Sequence, residues 1–142
     1  MTTIAWDGAT LASDSACTAS FLSYGHEKIF ASQDKTSLYA VCGEMAMALA
    51  FVRWLDSDSD KYPDSVSGDW AVLDYDIATQ NMTLYTNSEH GMPVYAPFAM
   101  GSGASYAQTA MVLGFTAEEA VTVAIELDGS SGGDVVVYDL LE

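Results

Sequence analysis

The sequence has little positive charge: Lys28, Lys35, Arg53 and Lys61 are its only lysine and arginine residues, against 20 aspartates and glutamates, for a formal net charge of -16 over 142 residues. Such a surface repels nucleic-acid phosphates and anionic lipid, so neither nucleic acid nor a membrane is expected as a partner. Cysteine is nearly absent as well. Cys17 and Cys42 form no Cys-x-x-Cys pair, and two free thiols in a reducing cytoplasm are expected rather than a disulfide. Long hydrophobic runs are missing: the longest, YAVCGEMAMALAFVRWL, is broken by Gly43, Glu44 and Arg53, which does not suit a membrane span. No cationic stretch precedes an apolar one at the N-terminus, so no secretory signal is expected. His26 and His90 lack a second ligand at useful spacing, and no metal site is expected. The acidic stretch DSDSDKYPD lacks the glycine and terminal glutamate of an EF-hand loop. The turn from Gly101 to Ser105 is neither GxGxxG nor followed by GKS or GKT, so nucleotide binding is not indicated.

What the chain does contain is apolar content in short runs. Half its residues are hydrophobic, yet the mean hydropathy is only +0.16. A single domain over residues 1–142 is expected, burying roughly two-thirds of the surface its unfolded form exposes. TTIAWDGATLASDS reads as a hairpin starting at the second residue and turning at Asp7-Gly8, where Gly8 supplies a positive φ. Lys28, Ile29 and Phe30 read as a further strand, and Thr36 to Gly43 as a stronger one, with a polar turn at Gln33 to Lys35 between them. From Glu44 to Leu55 the apolar residues recur at three- and four-residue steps, which predicts an amphipathic helix. An acidic connector follows, then strands over Asp69 to Asp76 and Met82 to Thr86. A loop containing Gly91, Pro93 and Pro97 leads to MGSGAS. A second helix is expected over Ala104 to Leu113, stopped by Gly114. Thr116 and Glu119 then form a capping box at the start of a third, whose apolar stripe includes Ala120, Val123, Ala124 and Leu127. DVVVYDL reads as a closing strand. Helices that interrupt a mostly antiparallel strand set must cover sheet faces, so an α+β fold with helical outer layers is expected.

Chemistry is concentrated at the beginning of the chain. Threonine at position 2 is small enough for the initiator methionine to be removed, and removal exposes an α-amine with a reference pKa of about 8 beside the Thr2 hydroxyl. One residue then holds a nucleophile and its own general base. A fixed cation nearby favours the neutral amine and stabilises developing alkoxide charge. Asp14 closes the hairpin that Thr2 begins and Lys28 opens a following strand, so both are within reach across neighbouring strands. Gly43, between a strand and a helix, is a candidate oxyanion donor through its backbone N–H. The GSGAS turn either approaches a substrate or permits a tight chain reversal.

Taken together these segments resemble the β subunits of the proteasome and of the related bacterial ring protease HslV. TTIAWDG is similar to their mature N-terminus, ASDS supplies Asp14, HEKIF supplies Lys28, and YAVCGEMAMALAFVRWL resembles the strand, glycine and first covering helix. MGSGASYAQTAM resembles the family's GSG turn and second helix, with Ser102 as the site serine. ELDGSSGGDVVVYDL resembles the D-x-x-S-G-G segment and closing strand, with Asp128 and Ser131 as site residues. The resemblance runs from Thr2 to about Leu140. It implies a four-layer αββα sandwich assembled into six- or seven-membered rings, a threonine-type peptidase, and no cofactor. It also implies the roles: Thr2 attacks the scissile carbonyl, the Gly43 amide holds the oxyanion, Lys28 tunes Thr2, and Asp14 holds Lys28. Ser102, Asp128 and Ser131 position the amine and the proton-transfer water.

Two departures carry expectations of their own. The connector from Asp56 to Asp69 leaves no room for a second helix after the first, so one outer helical layer should be reduced, and with it part of the surface for ring contacts and for an ATP-dependent unfoldase. Glu44 stands where the family has a small residue after the oxyanion glycine; it either narrows or charges the specificity pocket or simply favours the helix dipole. The alternatives to a peptidase are hydrolysis of a non-peptide amide, and a catalytically inactive shell or assembly subunit of the same fold.

Overall fold

In the computed structural model, which describes residues 2–18, 22–23, 25–57, 60–63 and 68–141, the chain begins with the expected hairpin of β1 (Thr3–Trp6) and β2 (Thr10–Ser13). Gly8 takes φ +101° at the turn. There follow β3 (Cys17–Thr18), β4 (Leu22–Ser23), β5 (Ile29–Ala31), β6 (Ser37–Gly43), α1 (Met45–Leu55), β7 (Trp70–Asp76), β8 (Asn81–Thr86), β9 (Met92–Val94), β10 (Phe98–Gly101), α2 (Ala104–Val112), α3 (Ala117–Leu127) and β11 (Val136–Asp139). They group into two compact units, one of Met1–Lys28 with Tyr95–Glu142 and the other of Ile29–Val94.

The first unit is an antiparallel sheet in the order β10-β1-β2-β11 with two helices on it, beside a small β3-β4 ribbon. Strand alternation puts Ala5 and Ala12 on one face, where they pack with Ala107, Ala110, Met111, Ala117, Ala120, Val121 and Ala124 of the helical layer. Small side chains on both layers let the helices lie close to the sheet. Ile4, Trp6 and Leu11, on the opposite face, are buried too.

Helix α2 ends in a Schellman motif. Gly114 at φ +103° donates to the carbonyl of Met111 at 3.0 Å, and Phe115 N–H reaches that of Ala110 at 3.0 Å, satisfying carbonyls the helix leaves open. The predicted capping box opens α3: Thr116 Oγ1 accepts from Glu119 N–H, and Glu119 returns the bond to Thr116 N–H. Asp7 ties the hairpin turn to the same helix, since Oδ2 accepts from Ala117 N–H at 2.8 Å and Oδ1 from the amides of Ala9 and Thr10. Burial raises the Asp7 carboxyl, but the bonds from Ala117, Thr10 and Ala9 outweigh it and leave its pKa below the ordinary aspartate value.

The second unit is a five-stranded antiparallel sheet in the order β5-β6-β7-β8-β9. Among its described residues α1 is the sole helix, as expected for a reduced helical layer. Its core joins Tyr39, Val41 and Val72 of the sheet to Ala48, Phe51 and Val52 of the helix. Phe51 has the rings of Trp54, Tyr62, Trp70 and Tyr85 around it, their centroids 4.5–6.1 Å away. Gly43 closes β6 opposite Trp70 at φ +86°, where a Cβ would overlap the Asp69 carbonyl.

Several expectations need correction. Lys28 lies just before β5 and not within it. The stretch read as a loop around Pro93 and Phe98 contains β9 and β10. β9 is the terminal strand of its sheet, the place where a proline's missing N–H is tolerated. On α3, Val121 is fully buried while Leu127 is exposed, so the stripe that packs, Ala117, Ala120, Val121 and Ala124, is shifted from the expected one. Cys17 and Cys42 form no disulfide; Cys42 is buried and Cys17 half-buried. No helix among the described residues is long and apolar enough to cross a membrane.

Candidate active site

The hairpin geometry places the backbone of Thr3 against Asp14. Thr3 N–H donates to Asp14 Oδ1 at 3.0 Å, and Asp14 N–H donates to the Thr3 carbonyl at 3.1 Å. The same Oδ1 receives Lys28 Nζ at 2.8 Å, while Oδ2 accepts from Gly132 N–H at 3.0 Å. Both side chains of the Lys28–Asp14 pair have 0% exposure. One carboxylate oxygen thus bridges the ammonium and the peptide linking Thr2 to Thr3, which keeps the cation within two hydrogen bonds of that peptide.

A second carboxylate serves the other side. Asp128, at the C-terminal cap of α3, accepts at Oδ2 from Ser102 Oγ at 2.6 Å and from Ser131 Oγ at 2.7 Å. Its Oδ1 accepts from Ser130 N–H at 3.3 Å. Burial raises the Asp128 carboxyl, and these hydrogen bonds outweigh that effect, so its pKa lies below the ordinary aspartate value. Ser102 Oγ also lies 3.3 Å from the Thr2 carbonyl oxygen. That oxygen receives Gly103 N–H, again at 3.3 Å. Thr2 itself is only 5% exposed.

The GSG turn now has a physical reason. A Cβ on Gly101, at φ +98°, would overlap the Thr2 carbonyl, and one on Gly103 would overlap Thr3 Oγ1. These glycines let the start of α2 approach the first strand's backbone, rather than merely reversing the chain.

Of the predicted residues, Thr2, Asp14, Lys28, Ser102, Asp128 and Ser131 are brought together in the first unit. Gly43 belongs to the second unit. So does Glu44, which sits at the N-cap of α1 with no capping hydrogen bond from its side chain; its carboxylate packs against Gly68. Sequence reading passed over Thr3, whose Oγ1 lies 2.6 Å from Ser131 Oγ, and Gly132. The Thr-Thr doublet and the glycine after Ser131 were the available signals, but only pairing across the sheet identifies their partners. Among the described residues no group of three His, Cys, Asp or Glu side chains is arranged to hold a metal ion.

No protein-family model matches the chain, and no curated protein matches its sequence. Solved structures do match. BPH of Thiobacillus denitrificans shares 19% identity, with a TM-score of 0.69, over 98% of this chain and 97% of that one. The same protein in complex with epoxomicin matches at 19% identity and a TM-score of 0.69, over 99% of both chains. Eukaryotic HslV from Trypanosoma brucei matches at 16% identity and a TM-score of 0.70, over 97% of this chain and 98% of that one. Likeness over nearly the whole length of each chain assigns this protein the HslV-like, proteasome-type fold of the N-terminal nucleophile hydrolases.

Proposed function

We propose that this chain is a threonine-type peptidase that hydrolyses peptide bonds through Thr2 after loss of Met1, which lies outside the described residues. The observation carrying this reading is Asp14 Oδ1, which binds the buried Lys28 ammonium and the Thr3 amide at once. A buried positive charge within two hydrogen bonds of the Thr2–Thr3 peptide supports the reading that it favours a neutral Thr2 amine, an effect strengthened by low dielectric.

In this mechanism the α-amine of Thr2 takes the hydroxyl proton as Oγ1 attacks the scissile carbonyl. The amine then returns its proton to the leaving nitrogen, the carbon–nitrogen bond breaks, and an ester to Thr2 remains for water to hydrolyse. Ser102 and Ser131 spend their single O–H protons on Asp128, which leaves hydroxyl lone pairs to accept from an amine or a water. No step calls on a cofactor.

The natural assembly is proposed to be a homo-oligomeric ring in the cytoplasm, with an ATP-dependent unfoldase as the partner class. Support for self-association comes from the exposed apolar side chains Tyr106, Leu113, Phe115 and Leu127, which line one apolar depression over α2 and α3, a grouping that costs solubility unless covered.

The test uses untagged protein. Intact mass should show loss of Met1, and epoxomicin should add its mass at Thr2, with no addition in Thr2→Ala. Retention of Met1 throughout would overturn the reading. Loss of Met1 with no labelling in assembled protein would favour the non-catalytic subunit, while labelling without peptide cleavage would favour another amide as substrate.

A further inference from the structure

We propose that Thr3 is a positioning residue for the Thr2 chemistry, its hydroxyl donating to Ser131 and so orienting the Ser131–Asp128 arm of the site. This deepens the peptidase reading and rests on it.

The assignment follows from counting protons. A serine hydroxyl has one hydrogen to give and two lone pairs. Ser131 gives its hydrogen to the Asp128 carboxylate at 2.7 Å. The contact of 2.6 Å between Ser131 Oγ and Thr3 Oγ1 must therefore run the other way, with Thr3 as donor. The direction of the whole chain is set: Thr3 O–H to Ser131, Ser131 O–H to Asp128, with Ser102 O–H entering Asp128 from the other side. With one lone pair of Ser131 occupied by Thr3, the hydroxyl is held against rotation and its remaining lone pair has a defined direction. Charge reinforces this, because hydrogen bonds in series ending on an anion polarise one another.

Thr3 is built to hold that direction. It is 0% exposed, so no water competes for its hydroxyl. Its N–H is fixed on Asp14 and its carbonyl accepts from Asp14 N–H, which locks the backbone on both sides of the side chain. A β-branched side chain has few χ1 choices, and Gly103 leaves room for Oγ1 where any larger residue would collide with it. Thr3 thereby couples the two carboxylates, Asp14 through its amide and Asp128 through Ser131.

The test compares Thr3→Val, which keeps the shape and loses the donor, with Thr3→Ser, which keeps the donor and loses a methyl group. In processed, assembled protein, Thr3→Val should acylate about tenfold more slowly with KM nearly unchanged, and Thr3→Ser should stay within about threefold of the parent. A merely structural role ranks them the other way, since serine leaves a hole and valine does not. Combined with Ser131→Ala, Thr3→Val should cost little more than Ser131→Ala alone, because it acts through that hydroxyl. Parent-like acylation by Thr3→Val, or fully additive losses, would overturn the proposal. If Thr3→Val does not assemble, Thr3→Ala replaces it; serine should then react about tenfold faster than alanine, and equal rates would overturn the role. An inert parent protein is a different failure: it removes the peptidase reading, and the positioning role falls with it.

Discussion

Asp14 and Lys28 form an ion pair whose two side chains are both wholly buried, so each charge depends on the other for compensation. Four groups meet there: the ammonium, the amides of Thr3 and Gly132, and the carboxylate that binds all three. Removing one partner strands the other, at a cost of about 3–5 kcal/mol. Lys28→Ala and Asp14→Ala should each lower the unfolding midpoint more than the double substitution does, as thermal denaturation of the three variants would show. At this scale the site was largely legible: Asp14, Lys28, Ser102, Asp128 and Ser131 stand out as polar residues in recognisable motifs. Thr3 was not legible, because a threonine in a strand has β propensity as sufficient reason to be there.

Among the elements, two glycines of similar conformation separate backbone strain from site geometry. Gly114 has open space where a Cβ would stand, so Gly114→Ala should cost only the left-handed conformation, about 1–2 kcal/mol of stability, and leave acylation unchanged. Gly101 takes nearly the same φ but lies against the Thr2 carbonyl. Gly101→Ala should displace Thr2 and abolish acylation, which an epoxomicin labelling rate would record.

Strand β7 carries a different kind of tension. Asp74 faces Tyr39 in register, and its Oδ1 is buried without a hydrogen bond. Burial raises its carboxyl above the ordinary aspartate value, Ser37 opposes this by hydrogen bonding, and Asp76 and Asp56 add to the rise. The folded chain therefore holds that proton to higher pH than the unfolded chain does. Above the raised pKa the buried charge opposes folding, and the penalty fades as pH falls through it. Asp74→Asn should raise the unfolding midpoint at pH 7, with the gain shrinking toward pH 4.

For the whole molecule, a net charge of -16 makes self-repulsion a general cost of the compact state. Salt shortens the reach of that repulsion to about 10 Å at 0.1 M. Unfolding midpoints should thus rise as sodium chloride increases from about 10 mM to about 200 mM, and a flat or falling response would show that the acidic groups are already compensated.

The sequence by itself determined the local pieces: the hairpin at Asp7-Gly8, the amphipathic helix ending at Leu55, the capping box at Thr116 and Glu119 and the helix stop at Gly114. Each depends on neighbours a few residues apart, so dihedral preference and periodicity are enough to specify it. Tertiary structure alone decided that β9 and β10 are strands, since strand character there comes from pairing with β8 and β1. It alone brought Thr3 to Ser131 across 128 positions of chain. Which oxygen accepts from which hydroxyl is a matter of distance and available protons, and linear spacing carries neither.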